Sequence, residues 1–278
     1  MSTVDTWKEA LGNAATEAWT DVARTVHEQA LRGVERECLD DNGFEVARRL
    51  TELSDAIVKS AYDRSTSENM RPHALVALGG FGRREMAPYS DIDLLFLFRR
   101  EVDKSSEFIS GVLHPLWDVG FDVGHSSRTV AEVVEMARKD VESCTAMMDG
   151  RLLAGDSDLF AEYTKRLFRR LPKSVPTQIN KWRQARIDNK DSVQLLEPNV
   201  KESPGGLRDV QALEWAMKAQ TQQADATSLW SRYLESRDVE TIEHARAFLW
   251  RVRHHMHFAL GRKRDVLEQE LKMEIAEL

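Results

Sequence analysis

Two runs, Ala77-Leu78-Gly79-Gly80-Phe81-Gly82-Arg83-Arg84-Glu85 and Ser90-Asp91-Ile92-Asp93-Leu94-Leu95-Phe96-Leu97-Phe98, decide the fold. Leu75-Val76-Ala77-Leu78 is a short apolar run that stops at glycines, the pattern of a buried strand entering a turn. After a short polar segment, a second strand opens with carboxylates. Side chains alternate along a strand, so Asp91 and Asp93 share a face at a separation of about 7 Å, and such a pair can share a divalent cation. The glycine turn offers backbone N–H groups to a phosphate chain. Metal plus phosphate cradle points to phosphoryl or nucleotidyl transfer. The bland alternative is a solvated strand end. Against it stands the apolar run Leu94 to Phe98, which predicts a buried strand, and buried carboxylates are costly unless paired or metal-bound.

Phe121-Asp122-Val123-Gly124-His125 reads as a third strand. If it lies beside the Asp91–Asp93 strand, Asp122 completes a three-carboxylate cluster, and such a cluster can hold Mg²⁺ ions that activate a hydroxyl and grip a triphosphate. The alternatives are an ordinary edge-strand carboxylate, or Asp118 in that role; the alternation of side chains favours Asp122. Ser90 either caps its turn or donates to a phosphate oxygen. Arg83 is a candidate for neutralising phosphate charge, ahead of Arg84, which lies farther from the glycines. Glu85 can orient Arg83 or contribute to a polar network, and the sequence does not decide between them.

Around this centre the chain reads as helical. Trp7, Leu11, Ala15, Trp19, Val22 and Val26 recur at helical spacing within residues 3–39, and Phe44, Ala47, Leu50, Leu53 and Ile57 form a second stripe after the Asp41-Asn42-Gly43 break. Residues 65–72 read as a loop, 105–118 as a helix, and Val130 to Arg138 as a helix capped by Thr129. From Glu142 onward the expectation is almost wholly helix, clearest over Val239 to Leu260. The exception is Glu197 to Asp209, where two prolines and Gly205-Gly206 exclude continuous helix. There Lys201 and Arg208 can reach a nucleotide, and Asp209 can cap the next helix; an ordinary proline-rich connector is the equal alternative. His254, His255 and His257 cannot all face one way on a helix and read as structural or solvent-facing. The tryptophans, mostly on apolar helix faces, read as core.

The chain has 278 residues, a formal net charge of −7 and two cysteines, Cys38 and Cys144. The acidic balance speaks against duplex nucleic acid as a partner. The lone, distant cysteines form no disulfide framework or metal spacing, so a cytoplasmic location is expected. No signal peptide or membrane-spanning run is read. No nucleophile elbow and no His-Asp doublet occurs, which argues against those hydrolase centres.

The glycine turn with Ser90-Asp91-Ile92-Asp93 resembles the polymerase-beta-type nucleotidyltransferase superfamily. Leu116-Trp117-Asp118-Val119-Gly120-Phe121-Asp122-Val123-Gly124-His125-Ser126, Arg151-Leu152-Leu153-Ala154-Gly155-Asp156 and the loop from Glu197 to Gln211 are more specific. Together they resemble the bifunctional uridylyltransferase/uridylyl-removing enzymes of nitrogen signalling, from about Ala74 to about Arg262. That resemblance implies an α+β fold: a small mixed-sheet core at 69–158, a helical segment at 1–68 before it and a helical bundle at 159–278 after it. It implies that UTP with Mg²⁺ donates UMP to a tyrosine of the PII regulator. Asp91, Asp93 and Asp122 would be the metal carboxylates, and Gly79, Gly80 and Ser90 the triphosphate cradle, with Arg83, Lys201 and Arg208 as further nucleotide contacts. Family members also carry HD hydrolase and ACT domains, which these residues do not include. The rival readings are an adenylyltransferase of the glutamine-synthetase-modifying type, and a module that binds nucleotide or PII without turnover.

Overall fold

A computed structural model describes residues 3–37, 43–66, 73–101, 106–189, 196–225 and 229–276. Cys38, Asp41-Asn42 and residues 67–72 of the expected loop lie outside the described residues. At the centre is a four-stranded mixed sheet of order β3-β2-β1-β4, formed by β1 (His73–Ala77), β2 (Ile92–Phe98), β3 (Val123–Thr129) and β4 (Arg151–Gly155). Strand β1 pairs antiparallel with β2 and β4, whereas β2 and β3 run parallel. A parallel pair needs a crossover, and α5 (Ser106–Val119) supplies it.

Alternation sorts the strands onto two covered faces. Leu75, Ala77, Leu94, Phe96 and Phe98 pack with residues of α2 (Trp19–Glu37), α3 (Gly43–Ser65) and α5. Ala74, Val76, Leu95 and Leu97 pack on the other face against α6 (Val130–Lys139), α7 (Val141–Met148), α8 (Ser157–Arg170), α9 (Val175–Asn189) and α10 (Leu207–Thr221). Asp91 and Asp93 have the parity of Leu95 and Leu97, so the carboxylates lie on this second face, at the end of the strand.

The first stretch of chain forms α1 (Thr3–Asn13), a 3₁₀ turn at Thr16–Ala18 and α2, in line with its helical spacing. Thr129 caps α6 in a capping box, accepting from Glu132 N at 3.3 Å while its own N–H donates to the Glu132 carboxylate at 2.6 Å. After the single turn α11 (Trp230–Tyr233), the long seam becomes α12 (Ser236–Leu260).

Three expectations need correction. The third strand begins at Val123, not Phe121, and continues through polar Ser126, Ser127 and Arg128. It is an edge strand, and a half-covered edge lacks the apolar run that marks a buried one. Residues 151–155, expected within helix, form β4 on the other edge, bracketed by Gly150 and Gly155. Only the pairing with β1 makes that short run a strand. Asp209 is not the cap of α10: Gly206 holds that position, while Asp209, in the first turn, accepts from Gly205 N at 2.9 Å and pairs with Arg183 at 2.9 Å.

Candidate active site

Where β1 ends, Leu78 N donates to Asp93 O at 2.9 Å, which fixes the glycine turn against the start of β2. Gly79 has φ +53°, a left-handed conformation that favours glycine. It is followed by one helical turn, α4 (Gly79–Gly82). Two glycines bracket the Asp93 carboxylate. A Cβ on Gly79 would lie 3.3 Å from Oδ2, and a Cβ on Gly124 would lie 2.6 Å from Oδ1. The second distance excludes any side chain at 124 without moving Asp93.

Asp93 itself is exposed to the cleft although the strand around it is buried. Its carboxyl is pushed above the usual range by burial and then by Asp91, with Asp122 adding to the shift and Lys263 and Lys201 opposing it. Asp122 immediately precedes β3, and its carbonyl accepts from Ile92 N at 2.8 Å, which holds its backbone beside the start of β2. It opens towards a smaller cavity of about 120 Å³ shared with Ser90, His27 and Phe121, rather than into the main cleft. Asp118 sits in the last turn of α5, where its carbonyl accepts from Arg24.

The main cleft, about 350 Å³, lies between the sheet and the helices on its second face. Gly79, Gly80, Ser90, Asp91 and Asp93 form the sheet side; Thr145, Trp182, Lys201, Arg208 and Trp215 are on the opposite wall. The Ser90 hydroxyl accepts from Ala87 N at 3.1 Å, so it caps its turn while its own proton stays free to donate. Lys263 forms an ion pair with Asp91. Among the described residues no three His, Cys, Asp or Glu side chains form a ready-made metal group. The donor chemistry nevertheless fits a hard divalent ion. The candidate ligands are carboxylate oxygens, and the carboxyl of Asp93 is perturbed by a like charge that such an ion would relieve.

The loop from Glu197 to Asp209 is built by its own polar groups. Asn199 Oδ1 accepts from Lys201 N at 3.0 Å and Glu202 N at 2.7 Å. Glu202 pairs with Arg186 and Arg208. The Arg208 guanidinium donates to Gln211 at 2.8 Å and lies 5.4 Å from the Trp215 ring centre. Lys201 forms no ion pair or side-chain hydrogen bond among the described residues. Burial, followed by Arg253 and Arg208, pushes its ammonium down to about 8.

Arg83 is deeply placed. It pairs with Glu85 at 2.7 Å and Asp149 at 2.5 Å, and lies 5.5 Å from the Trp215 ring centre. Glu85 therefore both orients Arg83 and joins a polar network, accepting from Gln211 at 2.8 Å and pairing with Arg246. Burial alone would raise the Glu85 carboxyl, but Arg83 and Arg246 overcome it and hold it at about 2. Asp149 accepts also from Trp215 Nε1 and Lys218 Nζ, each at 2.8 Å. Nothing in the local sequence around Asp149 marks it; its partners are dozens of residues away. Lys263 and Gly124 also escaped the sequence reading, although Gly124 interrupts an otherwise strand-like run.

His254, His255 and His257 are all buried, which removes the solvent-facing alternative. His257 bonds Pro88 O through Nδ1 and contacts Asp265 through Nε2 at 3.0 Å. Of the tryptophans, Trp19, Trp215, Trp230 and Trp250 are core, whereas Trp117 is 43% exposed.

A glycine turn, two carboxylates at the start of β2 and the cations Lys201 and Arg208 thus line one cleft. Over most of its length the chain is homologous to bifunctional uridylyltransferase/uridylyl-removing enzymes. It is 38% identical to the Cereibacter sphaeroides enzyme over 240 residues, covering 81% of this chain and 26% of that protein. It is 34% identical to the Novosphingobium aromaticivorans enzyme over 278 residues, covering 96% of this chain and 30% of that protein. Residues 173–278 match the family GlnD PII-uridylyltransferase. The chain thus spans less than a third of the length of these relatives. No helix among the described residues is long and apolar enough to cross a membrane.

Proposed function

We propose that this chain carries the uridylyl-transferring site: UMP moves from UTP to a tyrosine hydroxyl of a PII-type regulator and pyrophosphate leaves. The observation that carries the reading is the convergence, in one cleft, of Asp91 and Asp93, the Gly79-Gly80 turn and the cations Lys201 and Arg208. The homology to the uridylyltransferases narrows it further.

Gly79 and Gly80 offer N–H groups from a first helical turn, where no intrahelical acceptor exists. Ser90 keeps its proton to donate to a phosphate oxygen. Lys201 and Arg208 face the triphosphate from the opposite wall and offset its charge. Asp91 and Asp93 would hold Mg²⁺ from the cleft, with Asp122, whose charge reaches Asp93, as the outer carboxylate; the ion when bound neutralises phosphate charge and favours in-line attack. Asp122, exposed next to the start of β2, is our candidate to take the tyrosine proton. Arg83 supports the turn from beneath, with Glu85 and Asp149.

The test is mass spectrometry of a PII protein incubated with the chain, Mg²⁺, and UTP or ATP in separate tubes. A UMP-sized gain on a tyrosine with UTP alone supports the reading, and Asp93→Asn should abolish that gain without unfolding the chain. An AMP-sized gain moves the chain to the adenylylating class. No gain with either nucleotide, from folded protein, leaves the non-transferring binding module as the better account.

A further inference from the structure

The segment after α12, which the proposed chemistry does not use, reaches the cleft at Lys263. It turns at Gly261 and is fastened at its far end. Val200 N donates to Asp265 O and Leu267 N to Pro198 O, each at 2.9 Å. The Asp265 side chain accepts from Arg253 at 2.7 Å and contacts His257 at 3.0 Å. The backbone is therefore anchored two residues from Lys263 and tied to the loop that presents Lys201. Lys263 itself lines the cleft, and its ammonium pairs with Asp91.

That pair is 40% and 39% exposed. An ion pair this open contributes little stability and exchanges readily. Its position matters more than its strength, because Asp91 is one of the two cleft carboxylates that a divalent ion would occupy. A cation arriving at Asp91 displaces the ammonium. A lysine has a flexible four-carbon stem, and the next strong anion within the cleft would be a triphosphate.

We propose that Lys263 is an exchangeable countercharge: it holds Asp91 while no divalent ion is bound, and moves onto phosphate oxygens when ion and nucleotide enter. Lys263 is then a positioning residue for the triphosphate and a competitor for the metal. This inference rests on the assignment of the cleft to metal and triphosphate, and not on the identity of the acceptor.

The two roles predict opposite effects of one substitution. The full chain and its Lys263→Met and Lys263→Arg variants are titrated with Mn²⁺ alone, followed by electron paramagnetic resonance. They are then titrated with inorganic tripolyphosphate in the presence of Mn²⁺, followed by calorimetry. Lys263→Met should bind Mn²⁺ about two- to fivefold more tightly, the size of an exposed ion pair. It should bind tripolyphosphate about fivefold more weakly, and Lys263→Arg should recover that loss. Equal Mn²⁺ affinity in the Met variant and the parent overturns the inference, as does unchanged tripolyphosphate affinity, or a parent that takes no Mn²⁺. If both opposed shifts are seen and no UMP is transferred, the uridylyl reading falls and the role of Lys263 stands.

Discussion

At the scale of single residues, the site depends on what is missing at position 124 as much as on what is present at 93. Asp93 Oδ1 occupies the space where a Cβ on residue 124 would sit, 2.6 Å away. Gly124→Ala should leave the strand folded, since strand backbone accepts alanine, and push the carboxylate aside. A displacement of about 1 Å at a reacting centre costs about 100-fold in rate. The expected outcome is a loss of UMP transfer of that order with an unchanged melting temperature. Lys201 gives a pH dependence. Its folded-state pKa is lowered to about 8, so the charge is present below that pH and lost as pH rises through it. The kcat/KM for UTP, which reports the free protein, should therefore fall as pH rises through about 8. Lys201→Arg, whose cation does not titrate in this range, should flatten that limb. A limb that persists in the arginine variant would assign it to another group.

At the scale of elements, the position of the glycine turn relative to α10 is set by buried charge rather than by apolar packing alone. Asp149 follows α7 and precedes β4, and its side chain is fully buried against Arg83, Lys218 and Trp215. Arg151, two residues on, grips Asp55 of α3 with bonds of 2.7 and 2.9 Å and donates to the carbonyls of Phe81 and Gly82. Thus the short segment before and within β4 ties together the glycine turn, α3 and α10. Asp149→Ala leaves Lys218 without its carboxylate and Arg83 with only Glu85. Removing one partner of a buried pair costs about 3–5 kcal/mol, and a urea titration should show a loss of that size. A loss below about 1 kcal/mol would place Asp149 among exposed pairs instead. None of this could be read along the chain, because Asp149-Gly150-Arg151 is unremarkable by composition and acquires meaning only from partners on other elements.

At the scale of the whole molecule, each face of the sheet is closed by a different part of the chain: α2, α3 and α5 on one side, α6 to α10 on the other. Leu95 and Leu97 share a cluster with Tyr163, Leu167 and Trp215, well beyond residue 158. A truncation to residues 69–158 would bare apolar surface on both faces, so it should bind a hydrophobic dye and lack a cooperative thermal transition. A sharp transition from that fragment would show the sheet self-sufficient. The sequence alone determined the glycine turn, the two carboxylates at the start of β2, the capped helix after Thr129 and the irregular Glu197–Asp209 loop. Each is a local pattern of glycine, alternation or capping that its own neighbours enforce. Tertiary structure alone decided the strand at 151–155, the enclosure of the Arg83 side chain by Glu85 and Asp149, the burial of the three histidines, and the approach of Lys263 to Asp91 across 172 positions of chain. Those features come from pairing and charge neutralisation between segments far apart in sequence, and such contacts exist only once the chain has closed around the sheet.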